Sequence, residues 1–449
     1  MSDRDLYRRH LEALDRWLAD AIERAGRKGL ALDGVVLHAG RSRYYHADDQ
    51  EIPFRSVPHF RRFVPLDGPE HLVVARPGKK PLVYRVVPKD FWYESAPLRP
   101  DYWVDEVELR EVDTFADAAN QVKGSGTFAY VGNAPEAAEE LGIPADRVEP
   151  EALMAPLDWY RAQKTDWEIS RIEVAAQKVA EGHRVARKAF ESGASEREIH
   201  WAFLEASGQL ERECPFETIV ALDEKTATLH YQNKRGREAA PGKVFMLDSG
   251  ASFEGYASDV TRTWALETAD DLFRTLLEAL DALERDLVTM VTPGRPYPEI
   301  HAEAHRRIAL LLAETGIVKG SVDEALEKGI TRTFLPHGVG HHLGLQVHDV
   351  GGRQAGPDGG TVDPPPEHPF LRTTRTLEVG HVVTIEPGIY FIPLLLDELE
   401  GKPEGRLVDW KVVRRLVPFG GIRIEDDVVC TEEGPRDLTR PLIQGPRGI

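Results

Sequence analysis

The stretch VFMLDSGASFEGYASDVTRT, residues 244–263, carries two acids, Asp248 and Asp259, on or beside apolar runs. Asp248 follows Val244-Phe245-Met246-Leu247, a run that reads as a buried strand, and a carboxylate there costs desolvation unless something positive meets it. Asp259 lies past Gly250 and Gly255 and precedes Val260-Thr261-Arg262-Thr263, which can return antiparallel to the first strand. Two carboxylates brought together this way repel unless a proton or a cation sits between them. The plainer reading is that each caps a turn.

Three further segments bear on that choice. HGVGHHLGLQVHD, residues 337–349, packs His337, His341, His342 and His348 among glycines in a chain with 16 His overall. A single buried His is usually structural, but four together point to a functional cluster, and the glycines permit close backbone approach and positive φ. TIEPGIYF (384–391) and GIRIEDDVV (421–429) each set a Glu, Glu386 and Glu425, in a β-branched apolar strand. A buried Glu needs a partner. Arg423, two residues before Glu425 and on the same strand face, is the plain partner for it, whereas Glu386 has none nearby in sequence. His230 adds one more imidazole just upstream of the Asp248 strand. Four carboxylates with one or more imidazoles suit Mn²⁺ or a similar hard divalent ion, with Co²⁺ or Zn²⁺ as alternatives. The acids outnumber what one ion needs. Two ions roughly 3.5–4 Å apart, bridged by two carboxylates, would account for them, and such pairs serve hydrolysis.

The rest of the chain bounds the class. Its 449 residues suggest two or three domains, and 75 Asp and Glu against 56 Lys and Arg leave a formal charge of −19. An acidic surface repels phosphate backbones and anionic headgroups, so neither nucleic acid nor a membrane is an expected partner. No run of 18 apolar residues and no apolar leader core is present, and two cysteines, Cys214 and Cys430, are too few for a disulfide framework. These features predict a cytoplasmic protein with both thiols buried.

Helical spacing from Leu6 to Ile22 and strand-like runs at 34–38, 71–75 and 82–87 predict a small α/β domain over residues 1–160. Capping-box patterns at Thr165–Glu168 and Ser195–Glu198 open helices of a second domain, 161–449, with further helices at 272–291 and 300–315. Residues 354–368, with Pro364-Pro365-Pro366, read as an irregular loop.

Asp248, Asp259, His341, Glu386 and Glu425, in these five surroundings, resemble the pita-bread metallopeptidases, most closely the prolidases or Xaa-Pro dipeptidases. The resemblance is strong over about residues 165–440. More faintly, 48–55 and 87–92 are similar to the bacterial prolidases that include organophosphorus acid anhydrolases. It implies an α/β (α+β) architecture: a creatinase-like N-terminal domain, then a pita-bread domain with a curved antiparallel sheet backed by helices. It further implies two divalent metal ions per subunit and a bridging hydroxide that attacks Xaa-Pro dipeptides. Asp248 would bind one ion, Asp259 and Glu425 would bridge, and His341 and Glu386 would complete the ligands of the second ion. Glu386 matches the proton carrier, His337 and His348 the donors near the substrate carbonyl and leaving group, and His230 and Arg372 the clamp for the substrate carboxylate. Arg423 is expected as an outer partner of Glu425. A homodimer is implied too, in which the 48–55 loop or Trp92 approaches the partner's site. The alternatives are an Xaa-Pro aminopeptidase for longer peptides, a promiscuous organophosphate hydrolase, or a non-catalytic binding module. Phe216 stands where the related anhydrolases tend to have Tyr, which tells against organophosphates.

Overall fold

A computed structural model describes residues 1–92, 94, 98, 102–237 and 241–443; residues 444–449, the end of the expected second domain, lie outside the described residues. The chain separates into two compact units, Met1–Ile169 with Gln354–Thr361, and Ser170–Arg353 with Val362–Ile449. The boundary lies in the first turn of the helix Asp166–Glu191, where sequence suggested 160. Part of the proline-rich loop belongs to the first unit, an assignment that only contacts distant in sequence can reveal.

The first unit is built on five strands, β1 (Gly34–His38), β2 (Leu72–Ala75), β3 (Leu82–Val86), β4 (Glu108–Val112) and β5 (Phe128–Val131), in the order β4-β3-β2-β1-β5. β2 and β3 pair antiparallel, with Leu72 opposite Tyr84, while β1 pairs parallel with β5 and β3 parallel with β4. Every residue of β1 is buried, as its unbroken apolar run requires of a strand covered on both faces. The opening helix, Asp3–Arg27, is capped by Ser2 and buries Tyr7, Leu14, Leu18 and Ala21 on one face.

In the second unit every strand pairing is antiparallel among the described residues: β6 (Ile219–Leu222), β7 (Val244–Ser249) and β10 (Val260–Ala265); β11 (Val382–Ile385), β14 (Asp426–Thr431) and β15 (Gly434–Asp437); β8 (Ser252–Phe253) with β9 (Tyr256–Ala257); β12 (Gly388–Tyr390) with β13 (Gly421–Arg423). The expected antiparallel pairing is thus present, divided among short ladders. Pro387, which cannot donate to a ladder, separates β11 from β12, and Ile424-Glu425 separates β13 from β14. A bridge between Thr261 and Glu425 ties the pieces together. The helices Asp271–Val288 and Tyr297–Glu314 supply Leu276, Leu280, Leu287, Ile300 and Ile308 to a core shared with Val383, Ile385 and Val428. Both capping boxes form: Thr165 N–H donates to Glu168 at 2.9 Å, and Ser195 N–H to Glu198 at 3.0 Å. Cys214 and Cys430 are both buried.

One glycine of the histidine segment is obligatory. Gly340 adopts φ +153°, and a Cβ there would lie 2.0 Å from the Thr384 carbonyl oxygen and 2.1 Å from the Tyr297 hydroxyl. Neither neighbour can withdraw easily, because Tyr297 donates a 2.8 Å hydrogen bond to that same carbonyl. Gly340→Ala is expected to cost about 2–3 kcal/mol of stability, read as a lower urea midpoint; an unchanged midpoint would refute this close packing.

Candidate active site and metal centre

The breaks in the sheet aim acids into one cleft. Asp248 lies within β7 and Thr261, in β10, sits opposite it. Asp259 immediately precedes β10, Glu386 immediately follows β11 and Glu425 immediately precedes β14. At such ends the backbone leaves the ladder but stays anchored: Glu386 N–H donates to Val339 O at 2.8 Å and Glu425 N–H to Thr261 O at 3.0 Å. The buried Arg262 guanidinium donates to Glu425 O at 2.7 Å and pairs with Asp426 at 2.6 Å, which holds the Glu425 turn from behind.

The four acids and His341 line a cavity of about 600 Å³, shared with His337, His348, His230, Arg372, Arg423, Phe216 and Phe370. The structure therefore brings every site residue of the sequence reading to one place. His341 Nε2 lies 3.5 Å from Asp259 and 3.8 Å from Glu386. Its Nδ1 meets the His342 carbonyl at 3.0 Å. A carbonyl can only accept, so Nδ1 carries the proton and Nε2 turns a lone pair toward the carboxylates. Burial pushes His341 down to about 4, which keeps the imidazole neutral and able to coordinate.

Asp259, His341 and Glu425 are all buried, each with a ligand atom within 4.8 Å of the others'. Asp259 Oδ1 is buried without a hydrogen-bond partner. Burial, reinforced by neighbouring acids, raises Asp259, Glu386 and Glu425 well above the usual carboxylate range. An unpaired oxygen amid acids that resist ionisation is what a bound cation would relieve, and the oxygen-rich donor set with one imidazole fits hard divalent ions.

Arg423 takes a different direct partner from the one its sequence position suggested. Its guanidinium forms an ion pair with Asp248 and donates to Thr261 Oγ1 at 3.1 Å, which in turn donates to Glu425 at 2.6 Å. The third contact, 2.8 Å to Tyr390 Oη, continues to His337 Nε2 at 2.8 Å. His337 Nδ1 meets Gly338 O at 2.8 Å, so both of its ring nitrogens are engaged. Tyr390 and Thr261 were missed because a Tyr or Thr in an apolar strand carries no signal of its role. Arg353 was missed too: it donates to Leu371 O at 3.1 Å and 2.6 Å, steadying the strap that leads to Arg372. His348, exposed on the cleft, stands edge-on to His341 at 4.5 Å between ring centroids.

Residues 170–432 match the family model of metallopeptidase family M24. The chain belongs to this M24 family. Residues 5–159 match the Xaa-Pro dipeptidase N-terminal domain. A Shewanella amazonensis protein named Xaa-Pro dipeptidase is 38% identical over 97% of this chain and 98% of its own length. One of the same name from Xanthomonas campestris is 40% identical over 98% of each. Among solved structures, Escherichia coli aminopeptidase P in its low-pH form has a TM-score of 0.73 at 23% identity, covering 100% of this chain and 97% of that one. Pseudomonas aeruginosa PepP has 0.70 at 22%, covering 95% of each. These likenesses bear on fold, the pita-bread fold of M24 behind an N-terminal domain. The protein is a metal-dependent hydrolase, and divalent metal ions are the cofactors that M24 membership implies. Among the described residues no helix is long and apolar enough to cross a membrane.

The raised carboxyl pKa values fix a sign. Groups raised above their unfolded values stabilise the metal-free fold at acid pH, and that contribution is lost as pH climbs through the native values. Bound divalent ions replace the displaced protons. The melting temperature of chelator-treated protein should therefore fall relative to metal-loaded protein as pH rises from about 5 to about 8. A gap that does not change with pH would argue against these acids as ligands.

Proposed function

We propose that the protein hydrolyses Xaa-Pro dipeptides in this cleft with two divalent ions, manganese by the hardness of the donors, held by Asp248, Asp259, His341, Glu386 and Glu425. The observation that carries the reading is the buried Asp259 carboxylate, whose Oδ1 has no hydrogen-bond partner and whose Oδ2 lies 3.5 Å from His341 Nε2, among three other acids. The ions would act as Lewis acids on the scissile carbonyl and acidify water enough to make it a nucleophile near neutral pH.

The chain's own residues supply the proton handling and the grip on substrate. Glu386, raised by burial and by Glu425, is suited to take the proton of the attacking water and pass it to the leaving imino nitrogen. Arg423 stays charged beside Asp248 and fixes that carboxylate's rotamer. His348 has an exposed ring on the cleft and can donate to the oxygen that gains charge. For His337 to do likewise, its bond to Gly338 must be given up as substrate arrives. His230 and Arg372 are exposed on the cleft wall, and the planar fork of Arg372 can take the carboxylate of the proline residue through two bonds.

That clamp favours dipeptides over the longer substrates of an aminopeptidase, because a carboxylate held next to the scissile bond leaves no room for a third residue. Relatives named Xaa-Pro dipeptidase over nearly the whole chain support the same choice. The protein should turn over Gly-Pro faster than Gly-Pro-Ala at equal concentration. Arg372→Ala should raise KM for Gly-Pro roughly 10- to 100-fold, the loss of a charged hydrogen-bonded pair, and change kcat far less. Preference for the tripeptide would sink the dipeptidase reading, and an unchanged KM would remove Arg372 from the clamp. The same resemblance makes a cytoplasmic homodimer the expected form, in keeping with the exposed Tyr44, Tyr45, Ile52, Phe91 and Trp92 of the first unit.

A further inference from the structure

A second group of metal-capable side chains lies outside the residues lining the cleft. His301 and His305 project from one face of the helix Tyr297–Glu314, one turn apart. His368, from the chain segment that follows the Pro364-Pro365-Pro366 run, closes over them. The three ring centroids stand 4.4–4.6 Å from one another, and one nitrogen from each lies within 4.8 Å of the other two.

Three of the four ring nitrogens of His301 and His305 are buried without a hydrogen-bond partner. His301 is 2% exposed and both of its ring nitrogens are buried without a hydrogen-bond partner. His305 is 3% exposed; its Nδ1 bonds Thr331 Oγ1 at 2.9 Å, while its Nε2 is likewise buried and unpartnered. Each such group costs about 1–3 kcal/mol, a penalty that leucine or phenylalanine in the same core would avoid. The Thr331 hydroxyl can accept from Nδ1–H, which leaves the lone pair on Nε2 and sets the ring as a second-sphere partner sets a metal ligand. Burial and the neighbouring rings hold His301 near 2 and His305 near 3, so both are neutral under ordinary conditions.

We propose that His301, His305 and His368 form a separate metal site that binds one zinc-class divalent ion through three imidazoles and ties the 365–371 strap to the helix. Three imidazoles prefer Zn²⁺ and its soft neighbours, whereas the carboxylate cleft prefers harder ions, so one unit offers two sites of contrasting chemistry. Zinc–nitrogen bonds of about 2.0–2.1 Å require the rings to draw together, and His368, only half-buried, has the freedom to do so. Solvent on the His368 side can supply the fourth ligand. The ion would fasten a segment that matters: Leu371 N–H donates to His368 O at 3.1 Å, and Pro369, Phe370 and Arg372 line the cleft.

The test uses the full chain, stripped with chelator and reloaded with Zn²⁺ alone before desalting. Bound zinc should be one equivalent per chain lower in His368→Ala than in the parent, and equal zinc in the two overturns the proposal. His301 and His305 are core residues whose variants can misfold, so the second measurement needs only the parent. Hydrogen–deuterium exchange of the strap amides 365–371 should slow when zinc is added, and exchange that ignores zinc overturns the proposal as well.

Discussion

Four carboxylates, Asp248, Asp259, Glu386 and Glu425, line one cleft, and their mutual repulsion in a water-poor site is the constraint to which the second unit is fitted. Apart from Asp248, which Arg423 neutralises through an ion pair, these acids are driven toward their protonated forms by burial and by one another. Such a cluster is a poor source of stability by itself. It persists because the apolar core behind it, built from two long helices and the strands they cover, is large, and the divalent cations proposed for this cleft would turn the repulsion into ligation.

Holding the acids in register demands a scaffold that is rigid yet interrupted. A regular strand alternates its side chains between faces, so acids on one uninterrupted ribbon could not all converge. Pro387 and the Ile424-Glu425 break release Glu386 and Glu425 from the ladder, while Arg262, Thr261 and the Val339 carbonyl pin the released backbone. The run Arg423, Tyr390, His337, Gly338 then links the acid-lined edge to the histidine segment through successive hydrogen bonds. Gly340 permits that segment to pass against β11 closely enough for His341 to face Asp259.

Much of this was legible in the chain itself. Asp248, Asp259, Glu386 and Glu425 stood out because a charge beside an apolar run is costly and must be compensated. The histidine segment stood out by density. The helices and strands announced themselves through periodicity and capping boxes, as at Ser195–Glu198. Tyr390, Thr261 and Arg353 were silent, since each acts through a partner at least 18 residues away in sequence. Residues 354–368 read only as an irregular loop, yet their first part packs with the N-terminal unit and their last residue meets His301 and His305.

The sequence by itself determined the class of chemistry: buried acids with a nearby imidazole call for divalent ions, and this follows from the energetics of desolvation whatever the fold. Only the tertiary structure decided which groups meet. Arg423, two residues from Glu425 in the chain, pairs directly with Asp248 on another strand and reaches Glu425 through a threonine. The helix histidines find their third member 63 residues beyond His305, across a loop. The reason is geometric: electrostatic need is a property of each residue and its local run, whereas the partner that satisfies it is chosen by strand register, by breaks in the ladder and by the path of loops.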